Sequence, residues 1–241
     1  WDTAQPSIEQ VAAAISEANS RIADLVAADY SLKGMGTTVT GALFDGNRLA
    51  LAHIGDSRAY LLRDAHLERL THDHSWVQSL VDDGKISPAE AAFHPHRSLL
   101  LKVLNGQPLN DPDLTTVELR PGDRLLFCSD GLCGMVDDEQ LEMLTANPDL
   151  EAASRDLVDA ALAAGGIDNI TVILADVIAG PDIAAEPTAG TTDDVDTVVR
   201  GTAPAANGIV LGAAAEREIP AVPRHAPLLP GDFDDDSDVQ E

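Results

Sequence analysis

Aromatic residues are scarce in this chain: Phe, Tyr and Trp together make 3% of its 241 residues. A core must therefore be aliphatic, filled by Val, Ile, Leu and Ala. Basic residues are also few, with 15 Lys and Arg against 41 Asp and Glu and a formal net charge of -26. That balance excludes nucleic acid as a partner, because binding a phosphate backbone relies on Lys and Arg. The excess acid either keeps the protein soluble or gathers carboxylates around a cation. Cysteine is limited to Cys128 and Cys133, whose spacing fits neither a Cys-x-x-Cys redox motif nor a zinc knuckle. They read as small buried thiols in a reducing cytosol. No run approaches the roughly 18 apolar residues of a membrane span, and none reads as a signal peptide. Gly-x-Ser-x-Gly and Asp-x-Asp-x-Asp-Gly are absent too, which argues against a Ser-His-Asp hydrolase and a calcium loop. The first residue is Trp1, not Met. The chain is accordingly expected to be a piece of a longer protein, with room for a membrane anchor beyond Glu241.

What is present divides near Gly180. Residues 180–241 mix Pro, Ala, Gly, Thr and dense Asp without sustained apolar periodicity, and are expected to form a disordered acidic tail or linker. The island at 208–215 is apolar but too short for a bilayer. Residues 1–179 read as one folded unit. Ser7-Ile-Glu-Gln10 has the pattern of a capping box, and Ile8, Val11, Ile15, Ala18, Ile22 and Leu25 predict a helix over 8–28. A period of two then predicts strands at 37–44, 49–54, 59–62 and 67–70, read as one antiparallel meander with a turn at Asp45-Gly46. Helical habit returns over 74–92, stopped at Gly84 and restarted at Ser87-Pro-Ala-Glu90. Strands at 114–119 and 124–129, helices at 137–145 and 150–164, and a last strand at 170–178 complete the unit. This order predicts an α+β fold, a sandwich of antiparallel sheets flanked by helices.

Three aspartates recur where a strand meets a loop. Asp56 follows Leu-Ala-Leu-Ala-His-Ile-Gly, Asp130 follows Arg-Leu-Leu-Phe-Cys-Ser, and Asp168 precedes the last strand in Gly165-Gly-Ile-Asp-Asn169. Carboxylates on strand ends are rigidly held yet open to solvent, which suits a hard cation such as Mg²⁺ or Mn²⁺. Singly, each also reads as an ordinary turn residue. His72, His74, His94 and His96 lie at spacings of two, without the third ligand a zinc site needs, and read as a solvated loop.

Gly36-Thr-Thr38, His53-Ile-Gly-Asp-Ser-Arg58, Cys128-Ser-Asp-Gly131 and Gly166-Ile-Asp-Asn-Ile-Thr171 stand in the order of a known family. Over about residues 7–178 the chain resembles the PPM, or protein phosphatase 2C, metal-dependent serine/threonine phosphatases, bacterial members above all. The resemblance implies an α-β-β-α sandwich of two antiparallel sheets with two Mn²⁺ or Mg²⁺ ions, or a third, in a carboxylate cleft. There a metal-activated water attacks the phosphorus of phosphoserine or phosphothreonine. It implies that Asp130 and Asp168 are catalytic metal ligands, that Asp56 serves a third metal site, and that Ser98 lies on a flap near that site. Phosphorylated proteins, Ser/Thr kinases and their substrates become the implied partners, in the cytoplasm or at the cytoplasmic face of the membrane. Two departures stand out. The family's Arg-x-x-Asn-x-Asp-like and Asp-Gly-x-Gly-Gly motifs are missing, and Gly134 stands where relatives often carry a further Asp. The chain alone is therefore expected to be inactive, as the C-terminal part of an active enzyme. The alternative reading is a phosphatase-like regulatory or phosphoprotein-binding module without catalysis.

Overall fold

The computed structural model describes residues 8–45, 47–108, 111–179 and 208–217. Its helices are α1 (Ile8–Ala28), α2 (Trp76–Asp82), α3 (Pro88–Ala92), α4 (Asp130–Cys133), α5 (Asp138–Thr145) and α6 (Leu150–Ala163), with a 3₁₀ turn at Tyr30–Leu32. Its strands are β1 (Val39–Asp45), β2 (Arg48–Ile54), β3 (Arg58–Arg63), β4 (His66–Arg69), β5 (Asp113–Glu118), β6 (Arg124–Cys128), β7 (Ile170–Ala179) and β8 (Gly208–Arg217). Local chemistry explains several boundaries. Ser87 and Glu90 close a capping box on α3, where the helix restart was expected, with Pro88 in its first turn. Asp137 and Asp149 accept from the Gln140 and Ala152 amides at the starts of α5 and α6. Ser7, of the capping box expected on α1, and Gly46, of the expected hairpin turn, lie outside the described residues.

All strand pairs are antiparallel, in two sheets ordered β1-β2-β5 and β4-β3-β6-β7-β8. Alternation along the strands builds three apolar layers. Tyr60, Leu126, Cys128, Val172 and Leu174 pack with Leu132, Leu141, Leu157 and Val158 from the helices on one outer face. Their strand neighbours Leu61, Leu125, Ala175 and Val177 turn the other way and meet Leu49 and Leu119 between the sheets. Ala52 and Ile54 meet Ile15 of α1 and Leu104 on the far face. The result is the expected α-β-β-α sandwich, held by aliphatic side chains each contributing about 1.5–3 kcal/mol on burial.

Two features differ from the sequence reading. The strands over 37–70 are not one meander: β1 and β2 belong to one sheet, β3 and β4 to the other. The chain crosses between them at Gly55-Asp56-Ser57, which strand periodicity cannot reveal. Second, within the stretch read as a disordered tail, 208–217 is a strand paired with β7 from Ile170↔Arg217 to Ala179↔Gly208. The edge of β7 leaves backbone N–H and C=O groups open, and Ile209, Val210 and Leu211 favour extended backbone, which a composition-based reading underweights. The rest of residues 180–241 lies outside the described residues.

Candidate active site

Three strand ends converge at one end of the sandwich. At the β2–β3 crossing, Gly55 has φ +118°, and a β-carbon there would fall 2.3 Å from Thr38 Cγ2, so only glycine fits. His74 clamps this turn from both sides. Its backbone N–H donates to the Gly55 carbonyl at 2.7 Å, and its Nδ1 accepts the Gly55 N–H at 3.1 Å. Thr38 and Ser57 hydroxyls pair at 3.1 Å, which accounts for the Gly-Thr-Thr motif beside this turn. Arg58 then locks onto Asp73 through Nε and Nη2 at 3.0 and 2.7 Å. Asp56 is thereby held on a rigid turn.

Asp130 opens α4 directly after β6. The Asp-Gly pair is more than a turn signal here. A β-carbon on Gly131 would lie 2.2 Å from the Asn169 carbonyl oxygen, so the bare glycine lets the Asp168-Asn169 loop close on α4. Ser129 stitches the same junction, its hydroxyl donating to the Asn169 carbonyl and accepting the Thr171 N–H, both at 3.0 Å. Asp168 Oδ1 in turn accepts the Asn169 N–H at 2.8 Å.

Asp56, Asp130 and Asp168 line one cleft of about 710 Å³, and Ser98 lines it with them. Sequence spacing alone could not establish this meeting. Burial pushes the Asp56 carboxyl up to about 6, helped by the negative charges of Asp130 and Asp73. Asp130 is also raised, by burial first and then by the charge of Asp168. Arg97, which also lines the cleft, works against that rise. Sequence reasoning passed over Arg97; its only signal is its place beside Ser98.

The histidines divide rather than forming one solvated loop. His74 is buried, stacked on buried His53 with ring centroids 5.0 Å apart, and its Nε2 lies 3.1 Å from Asp113 Oδ2. Burial holds His53 down at about 4, with the nearby His74 adding to the effect. His94 and His96 pack edge-on against Trp76. Gly134 also has a local reason. A β-carbon there would lie 2.7 Å from the Asp130 carbonyl oxygen, so the turn accommodates no larger residue without shifting Asp130.

The cleft suits a hard divalent cation in kind, since the raised carboxyls of Asp56 and Asp130 each face another negative charge and would gain from a positive ion. It falls short in number: among the described residues, no three His, Cys, Asp or Glu side chains form a group able to hold a metal ion. Also among the described residues, no helix is long and apolar enough to cross a membrane.

Comparison with known proteins agrees with this fold. The family described as protein phosphatase 2C matches residues 2–166. The serine/threonine protein phosphatase PstP of Mycobacterium tuberculosis H37Rv is 49% identical over 166 residues, covering 69% of this chain and 32% of that protein. The serine/threonine phosphatase stp of Listeria monocytogenes EGD-e is 37% identical over 161 residues, covering 66% of this chain and 64% of that one. Among solved structures, M. tuberculosis PstP/Ppp superposes with a TM-score of 0.69 at 47% identity, covering 73% of this chain and 75% of that one. The PstP catalytic domain in complex with 2 manganese ions gives 0.68 at 44% identity, covering 73% and 74%. The chain thus spans about a third of the length of PstP and under two thirds of stp.

Proposed function

Because the chain belongs to the protein phosphatase 2C family, we propose that it is the C-terminal part of a protein phosphatase acting on phosphoserine and phosphothreonine. The observation that carries this reading is the convergence of Asp56, Asp130 and Asp168 in one cleft, with Asp130 feeling the charge of Asp168. Asp130 and Asp168 would hold the catalytic cations, Mn²⁺ or Mg²⁺, and Asp56 a third beneath Ser98 of the flap. Cations bound there would supply neutralisation of phosphoryl oxygens and acidification of a water. The chain's own residues hold the geometry. The Gly131–Asn169 contact keeps the two carboxylate loops together, His74 fixes the turn that carries Asp56, and Arg97 offers guanidinium donors to a phosphoryl oxygen entering the cleft. Phosphorylated proteins are the substrate class, with Ser/Thr kinases and their targets as partners. The cytoplasm, with its reducing conditions, is the compartment this reading assigns, at the membrane face where an anchor is attached.

The chain carries neither the Arg-x-x-Asn-x-Asp-like nor the Asp-Gly-x-Gly-Gly motif, so it supplies only part of the carboxylate cage. Affinity for a hard cation tracks the number of charged oxygens. The test is hydrolysis of p-nitrophenyl phosphate and a phosphothreonine peptide by the chain alone and by the chain joined to a segment bearing both motifs. Background turnover for the first, and Mn²⁺-dependent, chelator-sensitive turnover for the second, are expected. Metal-independent turnover by the chain alone would overturn the scheme.

A further inference from the structure

Each polar atom of His74, on the backbone and on the ring, has a partner. The N–H and Nδ1 both hold Gly55, and the backbone carbonyl accepts the Leu101 N–H at 2.8 Å. That last bond belongs to a short antiparallel stem. In it Ser75 bridges Leu100, and the Trp76 N–H donates to the Leu99 carbonyl at 2.8 Å. The stem leads directly to Ser98, which lines the cleft. One buried residue thus ties the turn before Asp56 to the segment that carries Ser98.

The fourth atom, Nε2, fixes the ring. A backbone N–H can only donate, so the Nδ1 that receives the Gly55 N–H carries a lone pair. In a neutral imidazole the proton then sits on Nε2. Nε2 lies 3.1 Å from Oδ2 of Asp113, the first residue of β5. Topology brings the two together: β5 pairs with β2, Asp113 stands opposite His53, and His53 stacks on His74. The other oxygen of Asp113, Oδ1, lies 3.3 Å from Nζ of Lys102, the residue after Leu101. Burial alone would raise the Asp113 carboxyl, yet His74 and Lys102 hold it below the usual range, so it stands as an acceptor.

We propose that Asp113 is a positioning residue, acting through His74 to hold the Asp56 turn and the stem of Ser98 in register. A carboxylate accepts a proton bond and offers none. Asp113 therefore selects the one tautomer whose Nδ1 can receive the Gly55 N–H. In the other tautomer two N–H donors would face each other, and the Gly55 amide would be left unsatisfied. The bearing on cation binding rests on the function proposed above; the hold on the turn does not.

Heteronuclear NMR of the metal-free chain tests the tautomer and the turn together. His74 should show a bare Nδ1 and a protonated Nε2. In Asp113→Ala the ring should populate both tautomers, and hydrogen exchange at the Gly55 amide should quicken about tenfold, on the scale of one buried hydrogen bond. Exchange at Leu126, fully buried in β6, should not change, which separates loss of position from loss of stability. Asp113→Asn, whose side-chain carbonyl still accepts the Nε2 proton, should restore both signals. A proton on Nδ1 of the unaltered chain, a Gly55 amide indifferent to Asp113→Ala, or equal quickening at Gly55 and Leu126 would overturn the proposal. Mn²⁺ titration followed by electron paramagnetic resonance should show several-fold weaker binding to Asp113→Ala than to the chain or to Asp113→Asn. Equal affinity in all three would refute the coupling to the cleft. Absence of Mn²⁺ binding by the unaltered chain would refute the metal reading and leave the NMR result standing.

Discussion

The two ends of the sandwich handle aspartate in opposite ways. At the end where β5 gives way to β6, Asp123 is 3% exposed, yet its carboxyl lies below the usual range. Burial alone would raise it; the paired N–H groups of Arg63, at 2.8 and 2.6 Å, and the Arg120 amide outweigh that. Beside it Arg124 grips Asp176 at 2.5 and 2.9 Å and caps the Thr145 carbonyl at 2.8 Å. At the opposite end, where β2 crosses to β3, the carboxyls of Asp56 and Asp130 are both raised, and each feels another carboxylate. One end satisfies its charges within the protein and is built for stability. The other leaves negative charge uncompensated, which costs stability and suits an added cation.

The largest consequence is a reversal of mutational sign. Asp123→Asn should destabilise the chain by about 1–3 kcal/mol, because it leaves Arg63 without its charged acceptor. Without metal, Asp130→Asn should leave stability unchanged or raise it, because it removes a carboxylate held against its preference. Urea midpoints of the two variants check this directly. Equal destabilisation by both would erase the distinction between the ends.

A smaller effect lies in pH. The folded state raises Asp56 from 3.8 to about 6, so it binds more protons than the unfolded chain between about pH 4 and 6. Stability attributable to Asp56 therefore falls as pH rises through that window. Asp56 is only partly buried, so screening holds the change to about 1–2 kcal/mol. Asp123 has the opposite sign: its contribution is present above its unfolded pKa and lost on acidification. The difference in stability between wild type and Asp56→Asn should decline from pH 4 to 6. A flat or rising difference would contradict the environment assigned to Asp56.

Much of this was legible before any coordinates. Apolar periodicity placed α1 and most strands because a buried face must repeat with its element. The aspartate at each strand end was visible as a residue type out of keeping with the apolar run before it. Three things were not legible. The crossing at Gly55 depends on a glycine whose neighbour, Thr38, is distant in sequence. The burial of His74 depends on partners from two other segments, Gly55 and Asp113. The pairing of 208–217 with β7 depends on an open sheet edge, which no local window contains.

The central claim is that the end of the sandwich bearing Asp130 and Asp168 is part of a cation cage. Thermal unfolding of the chain across a Mn²⁺ titration tests it most directly, because a ligand that binds only the folded state raises the midpoint. The account predicts a saturable rise for the chain and for Asp123→Asn, and its loss in Asp130→Asn and Asp168→Asn. A rise of equal size in all four proteins, or none in the unaltered chain, would contradict it.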